Sequence, residues 1–192
     1  MKDKFVDMLR RIADVNEVEL EQISRTFKVI QVPARQHLTQ IGEREKHLYF
    51  VVTGVLRLYC IDSKGEEATI FLFSENQFAS SYSSFVTSKP SDQGLQTLEE
   101  CTLLSIKKEE FINLEATSIN MNVLTRRIAD QRFINAQQVF MNHIMHTPEE
   151  RYLQFEQNHS QLLLRVPQHI IASYLGITPV SLSRIRNRIS KK

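Results

Sequence analysis

Residues 166–189 constrain the fold of this chain more than any other stretch, because two apolar helical patterns flank a short turn. The first pattern predicts a helix over about 167–175. Gly176 follows, and glycine takes the left-handed conformation that ends one helix and starts another at a steep angle. Thr178 and Pro179 then predict a new helix start, since Thr caps a free N–H and Pro lacks one. The stretch therefore predicts a helix-turn-helix.

The second helix of this unit has two distinct faces. Its inward face carries Leu182, Ile185 and Ile189 at helical spacing. Small and polar residues at the helix start, followed by arginines, suit a helix whose first half enters the major groove of DNA. We predict DNA contacts from the following residues: Thr178, Pro179, Val180, Ser181, Ser183, Arg184, Arg186, Arg188 and Lys191.

Arg184 is the predicted base-reading residue. Its planar guanidinium matches guanine O6 and N7 with two hydrogen bonds, while Val180 suits a thymine methyl and Ser181 suits either base class. The alternative is an ordinary surface helix with solvated arginines.

The charge distribution favours DNA over that alternative. Residues 157–192 contain no Asp or Glu and six basic residues: Arg165, Arg184, Arg186, Arg188, Lys191 and Lys192. The rest of the chain holds the other 18 of the 24 basic residues and all 22 acidic ones, so the net charge of +2 hides a polarised molecule. A basic end of this kind indicates a polyanionic partner.

The composition indicates a globular protein, with 42% hydrophobic and 24% charged residues over 192 positions. No apolar run approaches the roughly 20 residues that span a bilayer, and the N-terminus has no signal-peptide core. We therefore expect a cytoplasmic protein without a membrane partner. Cys60 and Cys101 are too few for a four-thiolate iron–sulfur cluster and are predicted to be reduced core residues, so no cofactor is expected.

The N-terminal part predicts an α+β fold. Helical patterns over 4–13 and after Asn16, where a capping box is indicated, predict a lid of two helices. Residues 28–106 then change to short β-branched and aromatic runs, with hairpin turns at 53–54 and 62–65. These runs predict an antiparallel β-roll or jelly-roll with strands at 29–32, 37–39, 47–52, 55–61, 68–73, 93–98 and 102–106.

An enzymatic jelly-roll would need convergent metal ligands. This segment has only His37 and His47, with no His-x-His pair. The chain also lacks a nucleophile–base pair and a phosphate-loop motif. We therefore predict no metal site, no catalytic residues and no enzyme.

A hydroxyl-rich stretch between two strands is the candidate effector site. Hydroxyls and free N–H groups at the start of a short helix can hold an anionic or polar ligand. The candidates are Ser80, Ser81, Tyr82, Ser83 and Ser84. A solvated loop with a serine cap explains the composition equally well.

A long helix is predicted over about 118–146, and it has two apolar stripes. One stripe contains Leu124, Ile128, Phe133, Phe140 and Ile144, and the other contains Met121, Ile134, Met141 and Met145. Two apolar faces need two partners, which we predict to be the β-roll and a second copy of the helix, with Leu124 and Ile128 at the dimer interface. A helix packed on both sides within one chain is the alternative.

A domain boundary is predicted at the end of that helix. Thr147 and Glu150 form a capping box that opens a new helix. This divides the chain into a sensor domain with the dimerisation helix, 1–146, and a helix-turn-helix domain, 147–192.

The order of helical lid, β-roll, long helix and helix-turn-helix resembles the Crp/Fnr family of bacterial transcription regulators. Residues 171–185 are similar to the family's helix-turn-helix signature, and Arg184 falls on its base-reading arginine. Pro179 and Val180 fall on two further base-reading positions, where charged residues are usual. The resemblance implies a homodimer, an inverted-repeat operator in double-stranded DNA and RNA polymerase as a partner.

The resemblance also implies a cyclic-nucleotide-binding-like β-roll, but the sequence departs from its phosphate cassette. The family's Gly-Glu pair coincides with Ser80 and Ser81, and its Arg-Ser pair coincides with about Ser91 and Asp92. The ribose-binding carboxylate and the phosphate-pairing guanidinium are both replaced, and Asp92 would repel a phosphate. We therefore expect any effector to differ from cyclic AMP.

Two functions remain in competition on the sequence alone. The first is a homodimeric, sequence-specific DNA-binding regulator. The second is a ligand-binding or protein-interaction module whose basic C-terminal segment docks on an acidic protein partner. The salt dependence of duplex binding separates them, because phosphate contacts release counterions.

Overall fold

The computed structural model describes residues 2–12 and 16–190, and within them helices flank two antiparallel sheets. The helices are α1 (Asp3–Ile12), α2 (Glu17–Thr26), α3 (Tyr82–Thr87), α4 (Lys108–Thr117), α5 (Ile119–Met145), α6 (Pro148–Arg165), α7 (Gln168–Tyr174) and α8 (Pro179–Ile189). The strands are β1 (Lys28–Val32), β2 (His37–Thr39), β3 (His47–Thr53), β4 (Leu56–Ile61), β5 (Glu67–Phe73), β6 (Phe78–Ala79), β7 (Gly94–Thr97) and β8 (Cys101–Lys107). The predicted fold class is confirmed.

The two sheets face each other as a β-roll. One has the order β1-β8-β3-β6 and the other the order β2-β7-β4-β5, with every pair antiparallel. Val51 and Leu103 of the first sheet and Leu58 and Leu95 of the second share one buried cluster. The seven predicted strands are all present, with ends shifted by at most one residue. The eighth, β6, was not predicted because two residues carry no periodicity.

Both predicted hairpin turns are present. Gly54 joins β3 to β4 with φ of +107°, and a Cβ there would lie 2.4 Å from the Sγ of Cys101. A larger residue is therefore excluded by both backbone conformation and space. At the second turn the Asp62 carboxylate accepts hydrogen bonds from the N–H groups of Lys64 and Glu66, at 2.8 and 3.0 Å. These bonds lower the pKa of Asp62.

The two N-terminal helices cover one sheet. The ring of Phe5 on α1 lies 4.6 Å from the ring of Phe27 and 5.1 Å from the ring of Phe50 on β3. Their packing confirms the predicted helical lid over the β-roll. Ala13, at the end of the predicted first helix, lies outside the described residues.

The predicted capping box at Asn16 forms only in part. The Asn16 side chain accepts the N–H of Glu19 at 2.9 Å, as a cap should. The Glu19 carboxylate, however, accepts hydrogen bonds from the Ser118 hydroxyl and the Asn120 amide. It therefore links α2 to the start of α5.

The long helix α5 has one buried and one exposed apolar face. Leu124 is 1% exposed and lies with Ile128 in the cluster that contains Phe50 and Leu104 of the β-roll. The prediction that Leu124 and Ile128 form the dimer interface is therefore wrong. Both predicted stripes are divided by the fold, because Leu124, Ile128 and Met121 face the β-roll whereas the other members are exposed. The exposed apolar face, which we call the α5 stripe, consists of Phe133, Ile134, Phe140, Met141, Ile144 and Met145.

Helices α6 to α8 share a third apolar cluster with the β-roll. Val55 is buried in this cluster together with Phe155, Ile171 and Leu182, and Leu72 packs against it. Because side chains from both predicted domains fill one cluster, the C-terminal helices are docked on the β-roll. The division at residue 146 stays a prediction.

Polar contacts reinforce this docking. The Ser173 hydroxyl of α7 accepts the N–H of Thr69 on β5 at 2.9 Å. The buried Arg151 of α6 donates to the carbonyl oxygens of Leu175 and His146, at 3.0 and 2.8 Å. Arg151 thus binds the carbonyl ends of α7 and α5, where a cation is favourable. Thr147 and Glu150 form the predicted capping box.

Within the described residues, no helix combines the length and the apolar character that crossing a membrane requires. Cys101 is buried and Cys60 is half-buried, and neither forms a disulfide. Burial raises the pKa of the Cys101 thiol to about 11.

Candidate nucleic-acid interface

The turn between α7 and α8 has the predicted geometry. Gly176 has φ of +66°, and the N–H of Ile177 donates to the carbonyl oxygen of Ala172 at 3.0 Å. A Cβ on Gly176 would lie 3.1 Å from the Nε2 of His143, so the turn also lies close to the end of α5. A left-handed glycine with this hydrogen bond ends α7 sharply and sets the angle of α8.

The start of α8 is capped by Thr178. Its hydroxyl accepts the N–H of Ser181 at 3.1 Å and lies 3.0 Å from the Ser181 hydroxyl. Pro179 occupies the first helical position, where a missing N–H has no cost. The predicted helix start is confirmed, and the half-buried Ser181 is held at the edge of the exposed face.

The outward face of α8 carries four exposed side chains: Val180, Ser183, Arg184 and Asn187. Leu182 and Ile185 are buried on the opposite face. Asn187 was not among the predicted residues, although it follows Arg184 by three positions on a helix and its amide suits adenine. Among the described residues, no carboxylate forms an ion pair with Arg184. Arg184 is thus presented to solvent on a capped helix.

The other predicted basic residues differ in their surroundings. Arg186 is exposed on the flank of α8. Arg188 donates from Nη1 to Oε2 of Glu149 at 2.8 Å, so its charge is partly neutralised. Lys191 and Lys192 lie outside the described residues.

Arg165 does not belong to the basic surface that the sequence predicts. Its guanidinium pairs with the carboxylates of Glu75 and Glu99, which reach it from loops of the β-roll. These hydrogen bonds raise the pKa of Arg165. The charge count along the sequence did not show this pairing, because Glu75 and Glu99 lie far from Arg165 in the sequence.

The predicted effector residues are divided by the fold. Ser81 and Ser84 are buried, and their hydroxyls make internal bonds. The Ser81 Oγ lies 2.7 Å from the Ser91 Oγ, and the Ser84 hydroxyl donates to the carbonyl oxygen of Lys89 at 2.6 Å. Ser80 is also fully buried. Tyr82 and Ser83 line a cavity.

A carboxylate already occupies the start of α3. Glu45 is buried and accepts hydrogen bonds from the Thr39 hydroxyl at 2.6 Å, the His47 N–H at 3.1 Å and the Ser81 N–H at 3.2 Å. Burial raises the pKa of Glu45. The Ser81 N–H, which the sequence predicts as a donor to an anionic ligand, is therefore already bonded to the Glu45 carboxyl group.

The cavity beside Tyr82 has a volume of about 350 Å³ and lies between the second sheet, α3 and α5. Its polar side chains include Ser83, Gln93 and Arg132. Arg132 donates to the carbonyl oxygens of Phe78 and Ser80, at 3.2 and 3.0 Å.

Comparison with known proteins identifies the fold. Residues 29–118 match the family profile of the cyclic nucleotide-binding domain. FixK2 from Bradyrhizobium japonicum superposes with a TM-score of 0.76 at 14% identity, over 86% of this chain and 85% of that one. A protein from Eubacterium rectale assigned to the Crp/Fnr family of transcriptional regulators gives 0.71 at 17% identity, over 92% and 84%. The chain has the Crp/Fnr fold.

A third solved structure agrees with the other two. CLP from Xanthomonas campestris, a c-di-GMP responsive global regulator, superposes with a TM-score of 0.73 at 17% identity, over 92% of both chains. No curated protein sequence matches the chain. The resemblance to the Crp/Fnr family that the order of elements predicts is confirmed at the level of the fold.

Proposed function

We propose that this chain is a homodimeric transcription regulator that binds double-stranded DNA through α8. The main support is the orientation of α8. This helix buries Leu182 and Ile185. It exposes Val180, Ser183 and Arg184 to solvent. The capped turn before it fixes the angle at which this face is presented. A fixed helix with an exposed guanidinium is what base reading in the major groove requires.

The α5 stripe is the proposed dimer interface. Phe133 and Phe140 are each 65% exposed, and Ile144 and Met145 extend the same face. The stripe spans 13 positions, or about 18 Å at 1.5 Å per residue. Exposed aromatic and aliphatic side chains at helical spacing favour a two-fold contact with the same helix of a second copy.

Dimerisation accounts for specificity. A single recognition helix reads too few base pairs to select a site, so two copies are needed. Two-fold symmetry then gives an operator of two inverted half-sites, with centres about 34 Å apart. RNA polymerase as a partner and a location in the cytoplasm follow from the Crp/Fnr resemblance and belong to the same proposal.

Titration of the chain with a random duplex, followed by site selection from a randomised duplex pool, tests the proposal. The logarithm of the binding constant for random duplex is expected to fall linearly with the logarithm of the salt concentration. The selected sites are expected to be inverted repeats. Binding to an acidic protein with no enrichment of any duplex would overturn it.

A further inference from the structure

Arg132 is a half-buried cation at the wall of a cavity. Its guanidinium lies 4.9 Å from the ring centre of Tyr82 and 5.5 Å from that of Phe73. Its bonds to Phe78 and Ser80 use backbone carbonyl oxygens, and no carboxylate among the described residues forms an ion pair with it. A guanidinium has five N–H donors, so these two bonds leave donors for a further acceptor.

The charge of Arg132 is weakly compensated. Burial lowers its pKa to about 10, and the charge of Glu45 acts in the opposite direction with a smaller effect. The Glu45 carboxylate itself accepts hydrogen bonds from Thr39, His47 and Ser81. Because a desolvated cation gains most from an anion that pairs with it directly, the cavity favours negatively charged ligands.

The remaining walls of the cavity are largely apolar. Leu58, Phe71 and Phe73 line it from the second sheet, and Ala129 and Phe133 line it from α5. The Gln93 amide is among its few polar groups. A volume of about 350 Å³ lies in the range of sites for small organic ligands.

We propose that this cavity binds a small organic carboxylate with an apolar body. The carboxylate pairs with Arg132 through two N–H···O bonds, and the body packs against Phe71, Phe73 and Leu58. A nucleotide is disfavoured because its ribose hydroxyls would be buried against these apolar walls. Ligand binding is argued from the cavity alone, and only the role of the ligand as the effector of a regulator rests on the proposed function.

Thermal unfolding of the full chain tests the site with matched ligand pairs. The acids are 3-phenylpropionate and octanoate, and the neutral partners are 3-phenylpropanol and octanol. We expect at least one acid to raise the melting temperature at millimolar concentration, and its alcohol to bind at least ten-fold more weakly. No shift with either acid, or equal shifts with acid and alcohol, would overturn the proposal.

Variants locate the binding within the molecule. Arg132→Gln should abolish the preference for acid over alcohol, while Arg127→Gln, at an exposed position on the same helix, should preserve it. Ala129→Phe should fill the cavity and abolish binding with Arg132 intact. If Arg132→Gln does not fold, the Ala129→Phe variant and the acid–alcohol comparison on the unchanged chain still decide.

The readout contains no DNA, so this proposal and the proposed function fail separately. A chain that binds the acids and no duplex would overturn only the DNA-binding regulator. A chain that selects an operator and is indifferent to the acids would overturn only the carboxylate site.

Discussion

The Nη2 atom of Arg165 lies 2.6 Å from Oε1 of Glu75, which ties the last residue of α6 to the loop after β5. Glu99, in the loop before β8, accepts hydrogen bonds from Nε and Nη2 of the same guanidinium. Arg165 lowers the pKa of Glu75 to about 2. With Ser173 and Val55, this cluster fixes the helix-turn-helix on the β-roll.

We predict that the double variant Glu75→Gln, Glu99→Gln lowers the free energy of unfolding by about 1–2 kcal/mol at pH 7, after allowance for solvent screening. A carboxylate with a depressed pKa stabilises the folded state above its unfolded pKa of about 4.5 and loses this contribution as pH falls toward 2. The difference between the parent chain and the variant should therefore shrink over that range. Urea unfolding at several pH values measures it.

Glu100→Gln is the matched control, because Glu100 is exposed beside Glu99. It should leave the free energy of unfolding close to that of the parent chain at every pH. A difference between parent and double variant that does not depend on pH would contradict the ion-pair account.

A core substitution on α5 should lower the stability of the chain without changing its dimerisation. Leu124→Ala is expected to lower the free energy of unfolding by about 2–5 kcal/mol, because Leu124 is enclosed within one chain. Light scattering of the folded variant at matched concentration should give the parent mass. Loss of the dimer without loss of stability would place Leu124 at the interface after all.

Charges on the α5 stripe should have the opposite effect. We expect Phe133→Glu with Phe140→Glu to give a folded monomer, since like charges would face each other across the two-fold axis. Gln131→Glu, at an exposed position on the flank of the same helix, is the control and should remain dimeric. A double variant that keeps the dimer mass in light scattering would show that the interface lies elsewhere.

Cyclic AMP should not bind the β-roll. The Ser81 N–H is bonded to the Glu45 carboxylate, and the hydroxyls of Ser81 and Ser91 bond to each other. We expect millimolar cyclic AMP to leave the melting temperature unchanged, whereas a ligand at 100 times its dissociation constant would add about 2.7 kcal/mol. A clear upward shift would refute this expectation.

The sequence predicts best those features that depend on neighbouring residues. Gly176, Thr178 and Thr147 each act on groups within a few positions, and the turn and helix starts they predict are present. The apolar spacing of α8 likewise predicts which side is buried, because its pattern has one apolar face.

Features that depend on distant residues could not be predicted in this way. Arg165 meets Glu75 across 90 positions, and Ser81 meets Glu45 across 36. On α5, both predicted stripes contain buried and exposed members, so the apolar spacing did not separate Leu124 in the core from Phe133 at the surface. The effector residues were inferred from hydroxyl composition, whereas Arg132 enters the cavity from a helix 50 residues later.

Parallel titrations of Arg184→Ala on a selected operator and on random duplex test whether Arg184 reads a base. We predict a loss of about 1–3 kcal/mol on the operator and a much smaller loss on random duplex. Arg186→Ala, on the flank of the same helix, should weaken both by a similar factor, as expected of a phosphate contact. Equal losses on both duplexes for Arg184→Ala would contradict the account.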